Sequence, residues 1–288
     1  MAKRSEYKRY TRSRAGNVIY FAFLFIMGAF SVIPMFYCVC TAFKPLDELL
    51  VFPPRFFVHR PTLENFLILP SLLEKLQVPL SRYVFNSVSI SIVTTTLHVI
   101  VASMAAYAFS KSKLRFRKVL FYIVQFSLLY NGATLAIPQY LVFNGMNIID
   151  TFWVYILPAI PSSMGVFLMK QYIDSSVPDT ILEAAKIDGA PNGKIYWRII
   201  MPITKPSWMT LILFAFQGIW AGSPAAGTIF SEELKTLPYV MSSITAGGIT
   251  RAGASMAVTV IMMIPPITVY FISQSNVMET MSSAGMKG

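Results

Sequence analysis

The chain has 288 residues, of which 55% are hydrophobic and only 13% are charged, and its formal net charge is +11. Soluble domains usually carry about 25% charged residues, so the composition excludes an ordinary soluble domain and indicates a membrane protein. The positive charge does not predict nucleic-acid binding, because the cations lie beside apolar runs, where they specify membrane topology.

Six stretches of the chain contain no Asp, Glu, Lys or Arg. They are residues 15–43, 83–110, 119–149, 151–169, 206–231 and 252–278. Each can supply the roughly 20 apolar residues that cross a bilayer as a helix, and helices satisfy their own backbone groups in lipid. We therefore predict an all-α polytopic membrane protein with six transmembrane helices, forming a single domain over residues 1–288.

Lys and Arg are distributed unevenly between the two sides of this predicted topology. Of the 24 Lys and Arg residues, 17 fall in the N-terminal tail 1–14, in 111–118, in 170–205 or at the C-terminus, and the other seven fall in the remaining loops. Because positive charge is retained in the cytoplasm, both termini are predicted to be cytoplasmic.

Two features of the first half of the chain bear on the spans. Six prolines between Lys44 and Arg82 predict short elements there instead of one long helix. His98 lies near the middle of the second span, and an ionisable residue inside a membrane is a functional candidate. A neutral histidine that bonds to a neighbouring helix is the competing interpretation, and there is no second histidine near it to support a metal site.

A polar segment, residues 172–205, separates the fourth and fifth apolar stretches. Pro178 suits the first turn of a helix, and Gly189 suits a left-handed C-terminal cap. The apolar residues from Ile181 to Ile187 predict one short apolar face. Pro191 predicts the start of a second helix that extends to Ile200 and is interrupted by Pro202 before the next span.

The same segment resembles the EAA loop of bacterial ATP-binding-cassette (ABC) importer permeases, and the match keeps the order and spacing of the motif. The matching residues are Glu183, Ala184, Ala185, Asp188, Gly189, Ala190, Ile199, Pro202 and Pro206. The resemblance implies a type I ABC importer permease fold, in which this loop forms cytoplasmic coupling helices. It implies that Glu183, Ala184, Ala185, Asp188, Gly189, Ala190 and Pro202 dock on an ATPase.

Nothing in the sequence indicates a catalytic site. Gly189 and Gly193 are separated by three residues and Lys194 is followed by Ile195, whereas a phosphate-binding loop needs four residues and a Ser or Thr after its Lys. We expect no cofactor in this chain. The resemblance implies that ATP and magnesium are bound by partner ATPase subunits.

The resemblance is closest to carbohydrate-uptake permeases, through the terminal Gly-Met-Lys-Gly and the segment around Trp220. That class usually has Trp-Asn where this chain has Trp220 followed by Ala221. A sugar site needs hydrogen-bonding side chains beside aromatic faces. The candidates for the substrate path are Tyr130, Asn131, Gln139, Tyr140, Gln217 and Trp220. The alternative is that these Asn and Gln residues bridge helices and that the Tyr and Trp residues form interfacial belts.

The resemblance implies half of a translocation pathway for an oligosaccharide in the bacterial cytoplasmic membrane. The implied partners are a second homologous permease, two cytoplasmic ABC ATPase subunits, an extracytoplasmic solute-binding protein and membrane lipid. Three alternatives stay open at this point: an importer for another polar solute, a membrane-embedded enzyme and a channel.

Overall fold

The regular elements of the computed structural model are helices throughout the residues that it describes, which are 14–74, 77–112, 115–130, 132–224 and 227–285. In chain order the α-helices are α1 (Arg14–Ala42), α2 (Leu46–Leu49), α3 (Glu64–Leu67), α4 (Leu69–Leu73), α5 (Leu80–Lys111), α6 (Arg117–Ser127), α7 (Ala136–Gly145), α8 (Trp153–Ala159), α9 (Ser163–Ser176), α10 (Asp179–Ile187), α11 (Asn192–Ile195), α12 (Met201–Ile203), α13 (Lys205–Ala221), α14 (Leu237–Thr245) and α15 (Ala252–Gly285). The all-α class predicted from the sequence is confirmed.

The number of membrane-spanning helices found in the described part of the structure differs from the six that the sequence predicts. Three helical segments of the described residues are long and apolar enough to cross a membrane, namely 15–42, 80–111 and 249–278. The count rises to five if α8 with α9, bent by 40°, and α11–α12 with α13, bent by 80°, are each one span. The predicted third span, 119–149, is divided between α6 and α7, with a 3₁₀ turn at Gly132–Leu135 between them. A count of six is therefore not confirmed.

The bend between α8 and α9 follows from local chemistry. Pro161 disfavours the helical conformation of the residue before it, and α8 ends at Ala159. Ser162 then adopts extended backbone and its Oγ accepts a hydrogen bond from the backbone N–H of Gly165 at 2.8 Å. A serine in this position is a favourable N-cap, so the chain stops one helix and starts the next within four residues.

The chain divides into two compact units. One contains α1 to α3 and the segment Gly247–Val260, and the other contains Leu69–Ala246 together with the chain from Ile261 onward. The single domain over residues 1–288 stays a prediction.

In the first unit, polar side chains fix the segment that follows α1. Glu48, 7% exposed, accepts hydrogen bonds from the backbone N–H groups of His59 at 3.1 Å and Arg60 at 2.9 Å. These donors, His59 foremost, hold the pKa of Glu48 below its ordinary value. Asn65 Nδ2 donates to the carbonyl oxygens of Ala42 at 2.9 Å and Lys44 at 2.7 Å. The proline-rich segment is thus ordered by side chains instead of by a long helix.

The second unit is built around α5. Its buried face packs on α9 and α13, and the apolar core extends through both of them into the segment 177–200. The buried members are Val99, Ala102, Ala106, Val166, Met169, Ile173, Val177, Leu182, Ala185, Ile195, Tyr196, Ile200 and Leu211. Because one continuous core includes both the long helices and the polar segment, a displacement of that segment must disturb the packing of α5.

Candidate functional site

Helix α10 ends in a C-terminal cap that depends on Gly189. The backbone N–H of Gly189 donates to the Lys186 carbonyl at 3.0 Å, and the N–H of Ala190 donates to the Ala185 carbonyl at 3.0 Å. Gly189 has φ +74°, which is the left-handed conformation of a Schellman cap. The glycine cap predicted from the sequence is present.

The apolar residues of α10 divide between two faces. Leu182 and Ala185 are buried, whereas Ile181 is 40% and Ile187 is 86% exposed. The single apolar face predicted from the sequence is therefore wrong, because positions 182 and 185 share one side of a helix and 187 lies on another. The outer surface of α10 presents Glu183, Ala184, Asp188 and Gly189, all exposed, with Ile181 and Ile187 beside them; Ala190 is partly buried. We call this set the outer face of α10.

Lys111, at the end of α5, holds the start of α10. Its Nζ donates to the Val177 carbonyl at 2.8 Å and to Asp179 Oδ1 at 2.7 Å. The Lys111 ammonium lowers the pKa of Asp179. Asp179 also lies in the first turn of α10, where negative charge is favourable to the helix dipole. A long helix of the second unit is thus connected directly to the helix that carries the motif.

The second helix of the segment contains a π-helical turn. Residues Tyr196–Ile200 form this turn between α11 and α12. Tyr196 is 5% exposed, and its hydroxyl lies 2.6 Å from Ser103 Oγ on α5. Since Ser103 donates its own proton to the Ile100 carbonyl at 3.0 Å, Tyr196 is the donor in this bond. The Tyr107 ring lies 6.0 Å from the Tyr196 ring, so a second residue of α5, this one aromatic, contacts the same side chain.

Pro202 lies within α12, one residue before its last residue, Ile203. The predicted interruption therefore comes at Thr204, where the chain bends by 80° into α13. Trp208 Nε1 donates to the Met201 carbonyl at 2.9 Å across this corner. The corner is a fixed turn, stabilised by a side chain from the helix that follows it.

A cavity of about 580 Å³ lies within the second unit, among α5, α7, α8, α9 and α13. Most of its wall is apolar, and its polar lining residues include His98, Gln139, Tyr155, Ser162 and Ser223. His98 Nδ1 lies 2.7 Å from the Ala159 carbonyl, so the proton is on Nδ1 and a neutral ring keeps Nε2 as an acceptor. This bond to a neighbouring helix is the structural role that the sequence left open for His98.

The structure brings few of the predicted path residues together. Gln139 lines this cavity, and Phe214 and Gly218, which line it too, flank the exposed Gln217 on α13. Tyr130 is 60% and Tyr140 is 37% exposed, and neither is among the lining residues. Asn131 lies outside the described residues.

Trp220 is buried in a contact between helices. It is 4% exposed, its Nε1 donates to the Met262 carbonyl on α15 at 2.9 Å, and it stacks on Phe216 with ring centroids 5.7 Å apart. It borders a small enclosed space with Ser87, Ser91 and Thr236. Trp220 and Gln217 do not share an environment despite their i, i+3 spacing, because the helix presents one to a neighbour and the other to the exterior.

Sequence reasoning did not single out Tyr155 and Phe214 as cavity residues. Both lie in continuous apolar runs, in which periodicity does not distinguish a cavity-lining side chain from a core side chain. A polar residue in the same apolar run is a signal in the sequence for a cavity-lining side chain. Gln217, three residues after Phe214, is such a residue.

Comparison with known proteins gives a consistent result. Residues 98–282 match the family described as "Binding-protein-dependent transport system inner membrane component". The chain is 28% identical to "Protein LplC" of Bacillus subtilis, over 96% of each chain. It is 23% identical to "Polygalacturonan/rhamnogalacturonan transport system permease protein YtcP" of B. subtilis, over 96% of this chain and 100% of the relative. It is 26% identical to "Sulfoquinovosyl glycerol transport system permease protein SmoH" of Agrobacterium fabrum, over 92% and 91%.

A solved structure shares the fold. The chain superposes with a TM-score of 0.75 and 21% identity on a chain of a bacterial ABC transporter involved in the import of the acidic polysaccharide alginate, covering 92% of this chain and 98% of the other.

Proposed function

Because the chain belongs to the family of binding-protein-dependent transport system inner membrane components, we propose that it forms half of the translocation pathway for an oligosaccharide. The chain is a membrane-embedded transport subunit of an ABC importer and not an enzyme. It works with an ATPase and a solute-binding protein. We propose that the complete transporter also contains a second homologous permease. We propose further that it has two cytoplasmic ATPase subunits, which bind ATP and magnesium.

The outer face of α10 carries this proposal. It leaves two carboxylates, small residues and a nearly fully exposed isoleucine on the surface, while Leu182 and Ala185 fix the helix to the core. Small residues permit close approach by another protein, and Ile187, 86% exposed, offers apolar surface whose burial by a partner would be favourable. A movement of the ATPase would be transmitted from α10 through Lys111 and Tyr196 to α5. A channel would not need such a surface.

An oligosaccharide is the proposed cargo because relatives named for polygalacturonan and sulfoquinovosyl glycerol transport align along nearly all of this chain. The cavity supports the proposal, since it combines aromatic rings with hydroxyl, amide and imidazole groups, and sugars are bound by such combinations. We propose Gln139 and Gln217 as hydrogen-bonding groups of the path. Tyr130, Asn131 and Tyr140 stay proposed path residues from the sequence, whereas the bonds of Trp220 support a structural role.

Gln139→Ala and Gln217→Ala are each expected to weaken uptake several-fold, since each lost hydrogen bond contributes about 0.5–1.5 kcal/mol. The measurement is uptake, in proteoliposomes, of the oligosaccharide that the solute-binding partner retains, alongside the basal ATPase rate. Gln171→Ala, an exposed glutamine on α9, is the matched control and should leave uptake unchanged. Unchanged uptake in both Gln139 and Gln217 variants would place the cargo elsewhere, whereas loss of uptake together with assembly would make these residues structural.

We also propose that both termini are cytoplasmic, which the distribution of Lys and Arg supports. In a background with Cys38 and Cys40 replaced by alanine, a cysteine at Ser71 should react with an impermeant thiol reagent added outside. Cysteines at Ser112 and Ser283 should be protected until the membrane is opened. Labelling of intact cells followed by mass measurement provides the test, and reaction of Ser112→Cys from outside contradicts the orientation.

A further inference from the structure

A second cavity, of about 420 Å³, lies in the second unit where α5, α6 and α9 meet. We call it the basic cavity, and its lining residues are Phe109, Ser110, Arg117, Lys118, Phe121, Tyr122, Gln125, Lys170 and Asp174. None of these residues belongs to the outer face of α10 or to the larger cavity. Its volume falls within the range of small-ligand sites, about 300–1,000 Å³.

Positive charge exceeds negative charge in this lining. Asp174 is the one carboxylate among the lining residues that the structure describes. It is already engaged, because Lys170 Nζ donates to it at 2.6 Å and Ser110 donates to its other oxygen. Arg117 uses Nη1 to bond the carbonyls of Ser110 at 3.2 Å and Ser112 at 3.0 Å. Lys118 is exposed, and no carboxylate of the described residues lies within salt-bridge distance of it. An anion would therefore find an uncompensated ammonium and the edge of a guanidinium.

Helix α6 separates polar and apolar groups beside this cavity. The residues that line it, from Arg117 to Gln125, recur at helical spacing on one side. Apolar residues that alternate with them or flank them are exposed: Phe116 is 65%, Val119 56%, Ile123 60% and Phe126 60% exposed. Tyr122 and Gln125 add a hydroxyl and an amide to the polar side. A ligand that suits both sides has an anionic, hydroxylated head and a hydrocarbon tail.

We propose that the basic cavity binds the headgroup of an acidic phospholipid, with its acyl chains along the exposed face of α6. Basic pockets between membrane helices are known to bind anionic headgroups. The retention of cations beside membrane spans explains why Lys and Arg are numerous here, but it does not require three of them to line one concave site. The proposal depends on the membrane location of the chain and not on its cargo.

Lys118 is the residue to change, because Arg117 also holds backbone carbonyls of the α5–α6 connection. The probes are dioctanoyl phosphatidylglycerol and dioctanoyl phosphatidylcholine, added to the full-length protein purified in detergent with its associated subunits. Bound lipid is counted by native mass spectrometry. We expect wild-type protein to prefer phosphatidylglycerol. We expect Lys118→Gln to bind it roughly fivefold more weakly, the factor that about 1 kcal/mol per basic residue implies, and Lys118→Glu to bind it more weakly still.

Lys194→Gln, which neutralises an exposed lysine outside the cavity, is the control and should bind phosphatidylglycerol as the wild type does. Equal binding by Lys118→Glu and wild type would overturn the proposal, as would equal binding of the two lipids. Displacement of phosphatidylglycerol by an equal concentration of inorganic phosphate would identify a site for free phosphate instead of a lipid. Because Lys118 has an exposed side chain, these variants are expected to fold.

Discussion

Replacing Glu183 with lysine is expected to abolish substrate-stimulated ATP hydrolysis and uptake while the permease still inserts in the membrane. The side chain is exposed on the outer face of α10, so the change should leave the fold intact. A cation in place of a carboxylate costs several kcal/mol where a partner surface is complementary to the original charge, and each 1.4 kcal/mol corresponds to a tenfold loss of affinity. The measurement is the ATPase rate of the reconstituted complex with and without loaded solute-binding protein.

Gly189 provides a second test of the same surface. An added Cβ would meet no atom of the described residues within 4 Å, so the obstacle to a side chain there is the backbone at φ +74°. Gly189→Val should therefore distort the cap, at a cost of about 1–2 kcal/mol, and lower coupled activity. Gly189→Asn should be milder, because asparagine tolerates the left-handed region. Gly193, in a helix and with open space around its Cα, provides the control Gly193→Ala.

Two results would contradict this account of α10. Wild-type levels of substrate-stimulated ATP hydrolysis in both Glu183→Lys and Gly189→Val would show that the ATPase does not dock on the outer face of α10. Equal damage from Gly189→Val and Gly189→Asn would assign the effect to bulk at the partner surface and not to the cap. Membrane insertion of each variant is checked by its extraction and mobility in detergent.

Tyr196→Ala is expected to produce the largest loss of stability among single substitutions in the polar segment, residues 172–205. The ring is buried against α5, and truncation of a large buried aromatic side chain typically costs about 3–5 kcal/mol. The contact also connects the segment to Ser103 and Tyr107, so uptake should fall together with the thermal unfolding midpoint of the purified protein.

Tyr196→Phe is the matched variant, because it keeps the ring and removes only the hydroxyl. It should cost about 0.5–1.5 kcal/mol, the net worth of a hydrogen bond. A double-mutant cycle with Ser103→Ala should be non-additive if the two hydroxyls are partners. An additive cycle would mean that the 2.6 Å contact contributes nothing to stability. An unchanged unfolding midpoint for Tyr196→Ala would mean that the packing of Tyr196 on α5 does not stabilise the protein.

The sequence was sufficient for the class and for the motif because both depend on local chemistry. Long charge-free runs predict helices in lipid wherever they fold. The Gly189 cap is likewise a local event, since the hydrogen bonds that define it join residues no more than five apart. For the same reason Pro191 marks the start of the second helix, which begins at Asn192.

Only the tertiary structure shows which apolar side chains of a helix are buried and which are exposed. Ile187 and Leu182 are equally apolar in the sequence, yet one is 86% and the other 4% exposed, because only Leu182 belongs to the apolar core of the second unit. In the sequence, Trp220 and Gln217 are equivalent candidates for sugar contacts. The structure distinguishes them, because Trp220 Nε1 donates a hydrogen bond to the carbonyl of Met262, 42 residues further along the chain.

The sequence by itself determined an all-helical membrane subunit with a polar, motif-bearing segment between two apolar runs. It did so because hydrophobicity, proline and glycine act through the residues next to them. Only the tertiary structure decided which side chains line a cavity, which hold α10 to α5, and where the apolar runs bend or divide. Those outcomes depend on contacts between residues far apart in the chain, such as Ser103 with Tyr196 and Lys111 with Asp179, and no local pattern encodes them.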